Sequence, residues 1–161
     1  MTWQNHRVDD RLIHGQVAVA WGAALGPARI YVVDDQVAAS PWERDLLADA
    51  APGVEVRVLT VAEAAAAWPA EQAGPGGALL LVRDLRTARA LVEAGAAVPR
   101  FTLGGLHYAP GKVRVIEYVY LDEADRADAR ALLARGVELV AQDVPASRPQ
   151  GLAALVPGLA P

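Results

Sequence analysis

The chain has 161 residues, 53% of them apolar and 21% charged, with 15 basic against 19 acidic side chains and a net charge of −4. That length and apolar content suit one α/β domain with a sizeable core. They exclude global disorder, and the acidic balance argues against wholesale binding to nucleic acid or an anionic membrane. No cysteine is present, which excludes disulfides, thiolate metal sites and a thiol nucleophile.

The opening residues Met1–Arg7 have neither the basic n-region nor the apolar h-region of a signal peptide. No run approaches the roughly 18 apolar residues of a membrane span, so the expected setting is cytoplasmic. A helix is expected over Gln16–Leu25, with Val17, Trp21, Ala24 and Leu25 on one face. Ala28–Asp34 reads as a strand buried on both faces, its four consecutive apolar residues closed by acids. Pro41–Ala50 reads as a helix with Ser40 as N-cap, Pro41 at the first position and Glu43 in the first turn. Val54–Leu59 alternates, as a wetter edge strand should. Val61–Trp68 is an apolar run interrupted by Glu63 and closed by Pro69. A Gly74–Gly77 turn leads to a buried strand at Ala78–Val82. Helices over Asp84–Ala94 and Asp122–Arg135 each have an acidic start and a glycine stop, Gly95 and Gly136. Phe101–Leu103, Val113–Val115, Val119–Leu121 and Val137–Ala141 are the remaining strands, and one helical turn is expected at Leu152–Leu155. Strands alternating with helices predict a single open, mostly parallel twisted sheet with helices on both faces, a Rossmann-like three-layer α/β fold. Trp42 and Trp68 are expected to pack helix against sheet.

Reactive side chains concentrate in Arg7-Val-Asp-Asp-Arg-Leu-Ile-His-Gly-Gln16. A strand-to-helix loop of this kind stands at the edge where doubly wound sheets bind ligands, and the following helix offers free N–H groups to an anion. Arg7 and Arg11 carry guanidinium groups suited to phosphate oxygens, and Gly15 lets an anion approach the backbone. His14 is the strong nucleophile of the group, able to attack phosphorus and form a phosphoimidazole. The i, i+4, i+7 spacing of Arg7, Arg11 and His14 also fits a solvated helix face, and residue types alone leave both readings open. A metal site from His6, Asp9, Asp10 and His14 matches no tight ligand motif, and the arginines would repel a cation. Gly104–Lys112 is not a phosphate-binding loop of the Walker type, because Leu106 and Val113 occupy its glycine and hydroxyl positions.

The string Arg7–Val17 closely resembles the hallmark of the enzyme IIB component of the mannose/fructose/sorbose-type sugar phosphotransferase system (PTS). Trp21, Arg29–Asp35, Gly104–Lys112 and Leu132–Leu139 are similar to further segments of that family, so the likeness spans residues 7 to 145. The resemblance implies a phosphocarrier and transferase. His14 would take a phosphoryl group, at Nδ1, from the phosphohistidine of a IIA partner. It would pass that group to a sugar presented by membrane IIC and IID subunits, at whose cytoplasmic face the chain would associate. Arg7 and Arg11 would bind the phosphoryl oxygens and Asp10 would orient the imidazole or the loop. Asp9, Asp34, Gly104, Gly105 and His107 would lie close behind, with Gly104-Gly105 forming a turn beside the His14 loop. The covalent phosphohistidine would need no metal or other cofactor, and the family allows a homodimer. A regulatory phosphorelay protein using the same His14 without a sugar acceptor is the alternative. A Rossmann-like binder with a structural histidine is a third reading. Two departures from the family are visible: its first strand is apolar where Trp3–His6 is polar here, and Thr102-Leu103 precedes Gly104 where the family carries an asparagine.

Overall fold

A computed structural model describes residues 2–73 and 76–160; Met1, Pro161 and the first half of the expected Gly74–Gly77 turn lie outside the described residues. Seven strands form one sheet: β1 (Thr2–Asp9), β2 (Arg29–Val33), β3 (Glu55–Leu59), β4 (Gly77–Val82), β5 (Arg100–Gly105), β8 (Glu138–Ala141) and β9 (Gln150–Gly151). Their order is β3-β2-β4-β1-β5-β8-β9, parallel except for β9. β6 (Val113–Ile116) and β7 (Val119–Leu121) pair as a separate antiparallel ribbon. The expected three-layer α/β architecture is therefore present.

The helices divide by the face of the sheet they cover. α1 begins as a π-helix over Gln16–Trp21 and runs on as an α-helix over Gly22–Leu25. With α2 (Asp35–Ala38) and α3 (Pro41–Asp49) it packs on one face, where Val17, Trp21, Val37 and Leu47 meet Ile30, Val32, Leu79 and Leu81. α4 (Val61–Ala73), α5 (Leu85–Glu93), α6 (Glu123–Ala134) and α7 (Leu152–Leu155) cover the other, burying Trp68, Leu85, Leu91, Leu132 and Leu152 against Val8, Leu80 and Phe101. From β1 the chain leaves toward the first face, whereas from β4 it crosses over β1 to β5 by the second. The carboxyl end of β1 is thus the point where connections diverge to opposite faces, the crevice in which such sheets bind ligands.

Four local expectations need correction. The run Val61–Trp68, read only as an apolar stretch closed by Pro69, is helical and continues past the proline as α4. It is started by Thr60 and Glu63, whose side chains and backbone N–H groups bond reciprocally at 2.8 and 3.1 Å, and by Asp35, which accepts from the Val61 N–H. α3 starts with Pro41 and Glu43 as expected, but Ser40 makes no side-chain cap. Trp68 is buried, whereas Trp42 is 68% exposed on the outer side of α3. Gly22 donates to Val17 five residues back, so α1 opens with a π turn instead of the α-helix the spacing suggests.

The polar first strand is central and eight residues long. A bulge at Gln4, where the register to β4 jumps from Trp3 to Asn5, turns Trp3 and His6 onto the same face. There Trp3 stacks on Trp68 with ring centroids 4.7 Å apart, and His6 packs among Trp3, Trp68 and Phe101. Gln4 reaches the other way and donates to the Leu25 carbonyl at 2.6 Å. Aromatic stacking replaces the aliphatic packing that a central strand would otherwise need.

Candidate functional site

Beyond the bulge β1 keeps its own period of two, so Val8 faces the α5 side while Arg7 and Asp9 share the α1 side, although the register to β5 jumps from Leu103 to Gly105 between Val8 and Asp9. Asp9, the last residue of β1, is completely buried. Its Oδ2 lies 2.9 Å from His14 Nε2 and accepts from Arg7 Nη2 at 3.4 Å; its Oδ1 accepts from the Arg11 N–H at 3.2 Å. A neutral imidazole that donates to an ionised carboxylate here does so from Nε2, which leaves the Nδ1 lone pair available. The His14 side chain is 15% exposed.

The loop is shaped from beneath. Leu12 donates its N–H to the Asp9 carbonyl at 2.9 Å and adopts φ 56°, a left-handed conformation that costs a non-glycine residue about 1 kcal/mol. Burial of Leu12 and Ile13 in the core beside Val17 and Trp21 offsets that strain. The Ala18 N–H bonds to the His14 carbonyl at 2.8 Å, tying the histidine to the first turn of α1. A methyl group at Gly15 would meet no atom within 4 Å, so this glycine leaves open space beside the histidine.

Arg7, expected at the phosphoryl oxygens, is 2% exposed and directs its donors inward. Nη1 donates to the Gln142 carbonyl at 3.0 Å and Nη2 to the Asp143 carbonyl at 2.8 Å, while the guanidinium lies over the Trp21 ring, 5.2 Å from its centroid. Trp21 Nε1 donates to the same Asp143 carbonyl. Burial lowers the Arg7 pKa from the usual guanidinium value, and the adjacent Asp9 charge opposes that change. Arg11 is the exposed member of the pair: its side chain is 47% accessible, with Nε 3.9 Å from Asp9 and Nη2 3.4 Å from Gln16 Oε1.

Of the two roles expected of Asp10, the structure gives it the loop and gives the imidazole to Asp9. Asp10 accepts from the His107 N–H at 2.7 Å and meets His107 Nδ1 at 2.6 Å, so it ties the loop to the segment after β5. Gly104 and Gly105 are the last residues of β5 rather than a turn. A Cβ at Gly104 would fall inside the Arg7 guanidinium, and one at Gly105 would stand 3.0 Å from Asp9 Oδ1. The double glycine therefore opens the floor on which the Arg7–Asp9 pair rests. Gly104→Ala is expected to displace Arg7 and lower stability by about 2 kcal/mol, measured by denaturant unfolding. Asp34 belongs elsewhere: it caps α2 through the Gln36 and Val37 N–H groups and pairs with Arg83 at 2.7 Å. The carbonyls of Gln142 and Asp143 are not foreseeable from the residues, because a backbone acceptor has no signature in sequence.

Comparison with known proteins places the chain in a family. Residues 4–158 match the family described as PTS system sorbose subfamily IIB component. The chain is 34% identical over 142 residues to the N-acetylgalactosamine-specific phosphotransferase enzyme IIB component 1 of Escherichia coli, covering 86% of this chain and 89% of that one. It is 37% identical over 139 residues to the mannose-specific EIIAB component of Escherichia coli, covering 86% of this chain but 43% of that longer protein. The crystal structure of the IIBSor domain of the sorbose permease from Klebsiella pneumoniae superposes with a TM-score of 0.87 at 29% identity, over 96% of both chains. The chain belongs to the sorbose-subfamily IIB components of the sugar phosphotransferase system.

Proposed function

We propose that this IIB component carries phosphoryl groups on His14 Nδ1, receiving them from the phosphohistidine of a IIA partner. It then passes them to a sugar entering through membrane IIC and IID subunits. The observation that carries the reading is the Asp9–His14 contact, which favours the proton on Nε2 and so supports Nδ1 as the nucleophile. In the forward step the Nδ1 lone pair forms the new P–N bond as the donor's P–N bond breaks, and the electron pair returns to the donor imidazole. Positive charge develops on the His14 ring, and the buried Asp9 carboxylate stabilises it. Arg11 is the arginine free to bind the phosphoryl oxygens, while Arg7 holds Asp9 in place. In the second step a sugar hydroxyl attacks the same phosphorus, its proton leaves to solvent or a base of the partner subunits, and His14 returns to its starting state. A IIA partner is supported by the mannose relative, whose EIIAB name joins both components. No helix among the described residues is long and apolar enough to cross a membrane, and the reading assigns the permease to other chains.

The test is intact-mass analysis after incubation with a phosphohistidine-charged IIA domain, beside a His14→Ala control. One acid-labile, alkali-stable phosphate absent from the control is the expected result; an equally phosphorylated control would overturn the assignment. Arg11→Ala is expected to slow this transfer by about two orders of magnitude, the size of one lost transition-state contact. An unchanged rate would remove Arg11 from the reaction.

A further inference from the structure

A phosphoryl group moves between two imidazoles only when the donor histidine comes within bonding reach of the acceptor. A protein donor must therefore cover the residues that flank His14. On the two segments that adjoin the His14 loop, two apolar side chains are turned to solvent. Val19 is 71% exposed, one turn beyond Gly15 on a helix that buries Val17 and Trp21. Tyr108 is 67% exposed and directly follows His107, whose N–H and Nδ1 are both held by Asp10 of the His14 loop.

Tyr108 is exposed but not loose. On one side the Asp10–His107 contacts hold its segment. On the other, the Lys112 N–H closes a turn on the Ala109 carbonyl at 3.0 Å, and Lys112 Nζ pairs with Asp125 of α6 at 2.6 Å. Its ring meets Tyr120 edge-on with centroids 5.9 Å apart. A tyrosine fixed in this way loses little conformational freedom on docking, which is how aromatic anchors come to dominate interfaces.

We propose that Tyr108 and Val19 are the apolar anchors of the surface on which the phosphorylated donor domain docks. The charge of the rim fits that occupant: the half-exposed Arg11 stands in the same loop, and the incoming group is a phosphohistidine carrying negative charge. A second copy of this unphosphorylated chain would bring no phosphate to that guanidinium, and the phosphodiester of a lipid headgroup is not a group that an imidazole can take over. The inference rests on the reading of His14 as the phosphoryl acceptor.

The experiment compares two donors for the same histidine: a phosphohistidine-charged IIA domain, and phosphoramidate, which is too small to need docking. For the Val19→Ser/Tyr108→Ala double variant, KM for the protein donor is expected to rise at least tenfold, with kcat within threefold of the parent. Its phosphoramidate rate should be unchanged, and Tyr108→Phe should restore most of the affinity by keeping the ring. An unchanged KM for the protein donor would overturn the surface. Equal losses with both donors would also overturn it, because the residues would then support the loop rather than the partner. A parent protein that takes phosphate from neither donor would overturn the reading of His14, and this surface with it.

Discussion

Replacing Asp9 by asparagine is expected to slow phosphorylation of His14 by about a thousandfold while the chain stays folded. The carboxylate serves three donors at once: Arg7 Nη2, the Arg11 N–H and His14 Nε2. An amide of the same shape has one acceptor atom and one donor group, so at least one of these partners would face an N–H. If the amide nitrogen turns to His14, Nε2 must accept, the proton moves to Nδ1, and the nucleophilic lone pair is lost. If the oxygen turns to His14, the tautomer survives, but no negative charge remains to stabilise the ring as phosphorus bonds to it. Loss of the corresponding carboxylate in a Ser-His-Asp triad costs about four orders of magnitude, which sets the scale. Asp9→Ala is expected to do more, since it leaves the buried Arg7 charge without its counter-ion and costs about 3 kcal/mol of stability. Stopped-time mass analysis and denaturant unfolding of both variants separate the two effects. A rate for Asp9→Asn within tenfold of the parent would mean that Asp9 supports the loop without acting on His14.

That role is only partly legible in the sequence. Buried strands such as Ala78–Val82 and helices closed by Gly95 and Gly136 can be read because local pattern and tertiary environment agree there. Both glycines take up positive φ, at 108° and 80°. The string from Arg7 to His14 marks the site, yet its spacing cannot say which aspartate meets the ring. Extending β1 through Asp9 decides it, because Arg7 and Asp9 then share one face of a strand. The polar Trp3–His6 stretch hides that strand, since its face is built from aromatic stacking and turned by a bulge. Pro69 obscures α4 in the same way, although Thr60-x-x-Glu63 is a capping box and the cap outweighs the proline. The clamp on Arg7 comes from carbonyls 135 and 136 residues away, and only the fold brings them there.

The same strand makes the protein sensitive to acid through a histidine on the opposite face from the site. His6 is 7% exposed among Trp3, Trp68 and Phe101, and burial lowers its pKa from 6.5 to about 4, opposed in part by a hydrogen bond to the Arg100 backbone. Above about pH 6.5 His6 is neutral whether the chain is folded or not, and stability does not depend on it. Between pH 6.5 and 4 the unfolded chain binds a proton that the folded chain refuses, so stability falls as pH falls. A tenfold difference in proton affinity is worth about 1.4 kcal/mol, giving a loss of about 3 kcal/mol once pH 4 is reached, with no further change from this residue below it. Other carboxylates titrate in the same range, so the measurement is a difference between the parent and His6→Phe, which keeps a ring in the cluster and cannot titrate. Unfolding free energies of the two are expected to run parallel above pH 6.5 and to separate below it, reaching about 3 kcal/mol in the variant's favour at pH 4. Curves that stay parallel throughout would show that His6 is protonated as easily in the folded chain as in water.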